Sequence, residues 1–243
     1  MTKLSVNINK IATLRNARGE NNPDLIGMAK LIIALGAHGI TVHPRPDERH
    51  IRKQDVYALR QALPDTELNI EGYPSDEFIA LIHEIKPAQV TLVPDPPHVL
   101  TSNAGFLLRE DFSLVQNSIN KIISCGARVS IFIDPEDFIN RDITCIKKTG
   151  TDRIELYTAS FAADYNNNIT LQKYINFSLR ARELGIELNA GHDLSLDNLN
   201  ILLKAIPDIQ EVSIGHALIC DALLLGMPET IRRYLTICNQ RDN

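Results

Sequence analysis

The side chains best suited to chemistry crowd into one stretch, Gly39-Ile-Thr-Val-His-Pro-Arg-Pro-Asp-Glu-Arg-His-Ile51. An apolar run stops at His43, where Pro44 and Pro46 remove backbone donors and force a loop that carries His43, Arg45, Asp47, Glu48, Arg49 and His50. An imidazole on the rigid end of a strand suits proton transfer, whereas Asp47, Glu48 and Arg49 are types that any solvated loop carries. Similar groups recur where other apolar runs end: Asn7 and Asn9, Glu71, Glu155, Asn189 with His192, and Gly215-His216. Each has an ordinary structural alternative. Asn7 can bridge strands, the two glutamates can pair with rim lysines, and His192 can be hydrogen-bonded in a core. Converging on one rim, however, they are costly to bury unless they satisfy one another or a ligand. Anion binding has its own signals. Gly215-His-Ala-Leu and Asn189-Ala-Gly-His-Asp place small residues where backbone N–H groups can face a phosphate. Arg15, Arg18, Arg45 and His50 offer a second cationic cluster, with surface ion pairing the alternative for Arg15 and Arg18. Two such regions suit a substrate with two phosphates, or two phosphorylated substrates.

The elements that must hold these groups alternate regularly. Strands are expected at residues 3–9, 39–42, 67–71, 89–93, 128–133, 153–157, 187–190 and 211–214, from β-branched and alternating apolar patterns. Helices are expected from residue 23 to Gly36 and at 52–63, 75–85, 113–125, 134–149, 169–184, 195–206 and 217–238, the last broken near Gly226 and Pro228. Residues 10–19 read as a charged loop, and residues 94–111 as the longest stretch without periodicity, the kind of segment that forms lids or binding loops. Eight β-then-α units of roughly 30 residues, with no break in composition, predict a single α/β domain over residues 1–243, a (β/α)8 TIM barrel with additional helices. An open doubly wound sheet would require a glycine-rich phosphate turn after the first strand, and residues 7–19 contain none.

Composition bounds the function. A net charge of −5, a pI near 5.8 and the absence of basic runs argue against a nucleic-acid partner. The four cysteines are scattered without a CxxC pair, which suits a reduced, cytoplasmic setting, and no apolar run approaches the ~20 residues of a membrane span.

Asn7-Ile-Asn-Lys-Ile-Ala-Thr-Leu-Arg-Asn-Ala-Arg-Gly19, the 39–51 stretch, Asn189-Ala-Gly-His192 and Ile214-Gly-His-Ala217 resemble the pyridoxine 5′-phosphate synthase family, and the resemblance runs along the whole chain. It implies a (β/α)8 barrel assembled as a homo-octamer. The implied transferase-class reaction condenses 1-deoxy-D-xylulose 5-phosphate with 3-amino-2-oxopropyl phosphate, giving pyridoxine 5′-phosphate, phosphate and water without a metal or organic cofactor. By matching motif, His43, Glu71 and His192 are implied as proton-transfer residues and Glu155 as a transition-state stabiliser. Asn7, Asn9, Lys10, Arg18, Arg45, His50 and Thr101 fall where the family holds or closes over the deoxyxylulose phosphate, while His192-Asp193 and Gly215-His216 fall at the aminoketone phosphate. Residues 94–111, with Thr101, are then the expected lid.

This chain departs from the family pattern in having Asn9-Lys10 where many members have Asp-His, and Asp193 where they have glycine. The first change trades a carboxylate and an imidazole for an amide and a permanent cation. For Asp193 two placements are open: capping the following helix, turned from the ligand, or facing the phosphate and weakening its binding. Other readings of the same residues are a Schiff-base enzyme using Lys10, a phosphosugar-binding barrel without catalysis, and a metal-dependent isomerase built on His43, Glu71, Glu155 and His192.

Overall fold

Nearly every strand alternates polar with apolar residues, and the fold follows from where the two sets go. The computed structural model describes residues 1–95 and 104–240. Its strands are β1 (Lys3–Asn7), β2 (Gly39–Val42), β3 (Glu67–Gly72), β4 (Gln89–Leu92), β5 (Arg128–Ile133), β6 (Arg153–Leu156), β7 (Glu187–His192) and β8 (Ile209–Ile214). All pair in parallel in chain order, and β8 pairs with β1 to close the barrel. The expected (β/α)8 architecture is therefore the observed one.

The apolar set forms the shell between the barrel and its helices. Val6, Ile40, Ile70, Val90, Ile131, Ile154 and Val212 are fully buried in one continuous cluster with helix residues such as Ile32, Val56, Ile82 and Ile119. The polar set turns inward. Ser5 and Thr41 hydroxyls lie 2.7 Å apart, Thr91 Oγ1 donates to Asn69 Oδ1 at 3.1 Å and approaches Glu155 Oε2 at 3.5 Å. Lower down, Gln89 Nε2 donates to Glu211 Oε1 at 3.2 Å and Asn189 Nδ2 reaches Gln89 Oε1 at 3.4 Å. Gln89 and Glu211 stand on strands four places apart in the ring, so their bond crosses the lumen. Barrels of this type usually fill the interior with branched apolar side chains, and this one fills it with hydrogen-bonding groups.

Around the barrel run α1 (Asn9–Asn16), α2 (Leu25–Ala34), α3 (Lys53–Ala62), α4 (Asp76–Ile85), α5 (Leu108–Ile123), α6 (Thr144–Lys148), α7 (Ala159–Ala163), α8 (Asn168–Glu183), α9 (Leu199–Ala205), α10 (His216–Leu225) and α11 (Met227–Asn239), with a 3-10 turn at Pro135–Phe138. Side chains of Asp24, Ser75 and Asn167 cap α2, α4 and α8, accepting from Ile26, Phe78 and Ile169 N–H groups at 3.2, 3.1 and 2.9 Å. No helix among the described residues is long and apolar enough to cross a membrane.

Four expectations need correction. Residues 10–19 are not simply a loop, because Asn9–Asn16 is helical. Local propensity hides this helix: it has no side-chain cap and contains asparagine and threonine, poor helix formers. Tertiary bonds hold it instead, with Arg15 reaching Asp55 through two nitrogens at 2.7 and 2.9 Å. The expected helix over 134–149 is two pieces, broken at Asn140, whose φ of 59° is left-handed. The helix expected from residue 195 starts at Leu199, after a turn in which Asn198 Oδ1 accepts from Ser195 N–H at 2.9 Å. Finally, β7 runs to His192, so that histidine ends a strand rather than sitting in a loop.

Candidate active site

The inward and C-terminal positions of the strands open into a cavity of about 630 Å³. Asn7, Asn9, Lys10, His43, Arg45, His50, Glu71, Glu155, His192, Asp193, Gly215 and His216 all line it, although they come from every quarter of the sequence. Two expected residues are not brought in. Arg18 is exposed in the turn after α1 and outside the lining, and Thr101 lies outside the described residues, as do residues 96–103 of the expected lid, whose last residues, 108–111, are the first turn of α5, a helix expected only from residue 113. Arg15, part of the predicted cationic cluster, is buried and spent on Asp55 and on the His50 carbonyl at 3.3 Å.

The β1 end is braced by amides. Asn7 Oδ1 accepts from Asn9 N–H at 3.0 Å, Asn9 Oδ1 accepts from His43 N–H at 3.0 Å, and Asn7 Nδ2 reaches Glu71 Oε2 at 3.4 Å. This chain ties β1, β2 and β3 together at the rim and fixes where His43 and Glu71 stand. His43 Nδ1 lies 4.0 Å from Glu71 Oε2. The two are not an ion pair at neutral pH. Burial, then the charges of Arg45, His50 and Arg49, hold His43 well below the usual imidazole range, so the ring is neutral. Burial lifts the Glu71 carboxyl to about 7, opposed by His192 and Arg45 and reinforced by Asp95. Glu155 goes further. Desolvation first, then the neighbouring Glu71 and Glu211 carboxyls, push it well above the usual carboxylate range.

His50 is also neutral, lowered to about 4 by burial and by Arg45, Arg49 and Lys10. Its Nδ1 accepts from Ile51 N–H at 2.9 Å, so Nε2 carries the proton and the ring is a donor. Arg45 is held by Asp95 at 2.8 Å, both side chains being buried. On the far side, His192 packs against Tyr157 and Phe132, with ring centroids 5.4 and 6.2 Å away. Its φ of 72° is left-handed, a conformation costing roughly 1–2 kcal/mol in a non-glycine residue. The residue before it must be glycine, because a Cβ at Gly191 would collide with Glu155 Oε1 and come within 2.8 Å of the Ser213 carbonyl. Gly215 caps α10 without a side chain, leaving that helix's first N–H groups for an anion.

Residues 4–240 match the family described as "Pyridoxal phosphate biosynthesis protein PdxJ". The chain belongs to this family. It is 56% identical over 236 residues to a pyridoxine 5′-phosphate synthase of Porphyromonas gingivalis, covering 96% of this chain and 98% of the relative. It is also 53% identical to the Cytophaga hutchinsonii and Bacteroides thetaiotaomicron proteins of the same name, over 97% and 96% of this chain and 98% of each relative. Among solved structures, thiamine phosphate pyrophosphorylase from Pyrococcus furiosus superposes with a TM-score of 0.60 at 14% identity, over 98% of this chain and 96% of that one. N-(5′-phosphoribosyl)anthranilate isomerase from the same organism gives 0.60 at 13% identity, over 98% of both chains. These two likenesses establish the barrel alone.

The family pattern did not indicate every residue at the cavity. Thr13, Arg49, Val93, Phe132 and Ser213 also line it. Phe132 and Ser213 occupy the polar-side positions of β5 and β8, paired in register with Glu155 and Gly191. Period-two alternation identifies that side once one inward residue per strand is known. Arg49, read as an ordinary loop residue, faces the cavity while paired to Asp47 at 2.6 Å. The cap proposed for Asp193 is not formed, since the α9 N-cap is Asn198 and the Asp193 carboxylate bonds His192. Among the described residues, no group of three or more His, Cys, Asp or Glu is arranged to hold a metal ion.

Proposed function

We propose that this single-domain barrel is a pyridoxine 5′-phosphate synthase, joining 1-deoxy-D-xylulose 5-phosphate to 3-amino-2-oxopropyl phosphate with loss of phosphate and water. The observation that carries the reading beyond family membership is the set of proton donors and acceptors with different protonation around one cavity. Glu71 titrates at about 7, His43 is neutral beside it, and Glu155 is held protonated. Forming an imine, expelling phosphate and closing an aromatic ring demand proton transfers at several atoms, which one group cannot serve alone. In this scheme Glu71 and His43 move protons around imine formation and phosphate loss, His192 acts on the other partner, and Glu155 steadies developing charge. Asn7, Asn9, Lys10, Arg45 and His50 hold the sugar phosphate, His50 as a neutral donor. The α10 N-terminus at Gly215-His216, with the 192–193 turn, holds the aminoketone phosphate. The same reading places the protein in the cytoplasm as a homo-octamer, which light scattering of the purified chain tests.

The deciding experiment incubates chelator-treated protein with both phosphorylated substrates and follows pyridoxine 5′-phosphate by absorbance and mass. Product is the expected result, and its formation also disposes of a metal-dependent isomerase. Binding of both ligands without product would leave only the phosphosugar-binding reading.

A further inference from the structure

Asp193 stands beside a site that should receive a phosphate, yet its side chain is committed elsewhere. Its Oδ2 lies 2.7 Å from His192 Nδ1. The bond to His192 is the main cause that keeps the Asp193 carboxyl below its ordinary range, assisted by the charges of His192 and His216. An ionised carboxylate is acceptor only, so Nδ1 must carry the hydrogen. A neutral ring with Nδ1–H has its lone pair on Nε2, which fixes the one nitrogen that can take a proton.

The backbone enforces the same arrangement. His192 is the last residue of β7 and left-handed at φ 72°, and the preceding carbonyl, that of Gly191, accepts from the Thr158 hydroxyl. Asn198 Nδ2 donates to the Asp193 carbonyl at 3.1 Å, pinning the turn from the other side. Tyr157 and Phe132 wall the ring. The imidazole ring and the backbone that carries the carboxylate are therefore both held by groups outside the pair, as a pre-organised acid–base unit requires.

We propose that Asp193 is a positioning residue for His192, forming an aspartate–histidine dyad that sets the imidazole tautomer and steadies the ring when it gains a proton. The inference rests on the reading of His192 as a proton-transfer residue. It also accounts for a carboxylate beside an anion site: hydrogen-bonded to the ring, its charge balances the imidazolium formed in turnover rather than opposing the phosphate. An aspartate that orients a base in this way acts mainly on the rate, and loss of the correct tautomer is costly.

Two variants separate orientation from charge. In Asp193→Ala both are lost; in Asp193→Asn the amide oxygen still accepts from Nδ1–H while the charge is gone. Ring ¹⁵N NMR with labelled histidine, assigned by the loss of one signal in His192→Gln, reads the tautomer without reference to turnover. The native chain should show the Nδ1–H form for His192, Asp193→Asn should largely retain it, and Asp193→Ala should move toward Nε2–H. In parallel, kcat should fall about tenfold or more in Asp193→Ala and less in Asp193→Asn, with KM for both substrates within about twofold. An unchanged tautomer in Asp193→Ala overturns the proposal, as does a change confined to KM for the aminoketone phosphate. A tautomer shift in a chain that makes no product upholds the dyad and removes the assigned reaction instead.

Discussion

At the scale of single residues, the cavity holds chemically similar groups at different protonation. Glu155 is buried and Glu71 half-buried at the rim, and only Glu155 carries two further carboxyls among its perturbing neighbours, while Glu71 is relieved by His192 and Arg45. One therefore stays protonated at neutral pH, and the other stands near half-ionisation. If Glu71 accepts a proton in the rate-limiting step, kcat rises as pH passes upward through about 7, where that carboxyl loses its proton. Glu71→Gln removes a general base but keeps the shape and the hydrogen bond to Asn7, so the expected loss of kcat is about 10²–10⁴-fold, with that rising limb gone. Rates over pH 5 to 9, taken at saturating substrate, check both features. Full turnover in the variant, or a limb near 7 that survives it, would remove Glu71 from proton transfer.

At the scale of the elements, the strands carry two separate messages in alternate residues. On β8, Val212 and Ile214 face the shell, while Glu211 and Ser213 face the lumen. Glu211 is 2% exposed, accepts from Gln89, and has its carboxyl raised to about 7, by burial and Glu67 against Arg153 and Arg128. Between the ordinary value of 4.5 and the folded value of about 7, the unfolded chain ionises Glu211 while the folded chain keeps it protonated. Its burial thus costs stability progressively across that window, and the cost is complete above it. The shift corresponds to roughly 3 kcal/mol. Glu211→Gln should gain on the native chain by about that amount between pH 4.5 and 7.5, measured by urea denaturation at each pH; a gap that does not widen would show that Glu211 ionises freely in the fold. The alternation behind this was plain in Lys3-Leu-Ser-Val-Asn7 and Arg153-Ile-Glu-Leu156, and it made the strands legible. The strand ends likewise pointed to His43, Glu71 and Glu155, which the fold brings to one cavity. What alternation does not say is which face is the lumen, so Phe132 and Ser213 stayed hidden. Helix α1 was hidden for another reason, since what holds it is Asp55, forty residues away from Arg15.

At the scale of the whole molecule, stability and chemistry occupy concentric layers. The shell between barrel and helices is apolar throughout, and each strand pairs with both neighbours around a closed ring. The lumen is polar down to its floor, and its hydrogen bonds are incomplete: among the described residues, the buried Ser130, Ser213 and Asn189 side chains each keep an oxygen without a partner. A barrel whose lumen served mainly to stabilise the fold would be filled with branched apolar groups. Here the lumen is instead hydrogen-bonding, and Thr91 within it reaches a carboxyl at the mouth, Glu155 Oε2, at 3.5 Å. This division predicts opposite outcomes for two substitutions on neighbouring strands. Ile154, fully buried in the shell of β6, should cost about 2–5 kcal/mol as Ile154→Ala, through lost burial and the cavity left behind. Ser130, inward on β5, should be neutral or gain about 1 kcal/mol as Ser130→Ala, because an unsatisfied buried hydroxyl is removed. Urea denaturation followed by far-UV circular dichroism measures both. Comparable losses in the two variants would mean that the lumen bears the fold as the shell does, and the polar interior would then need a structural explanation rather than a chemical one.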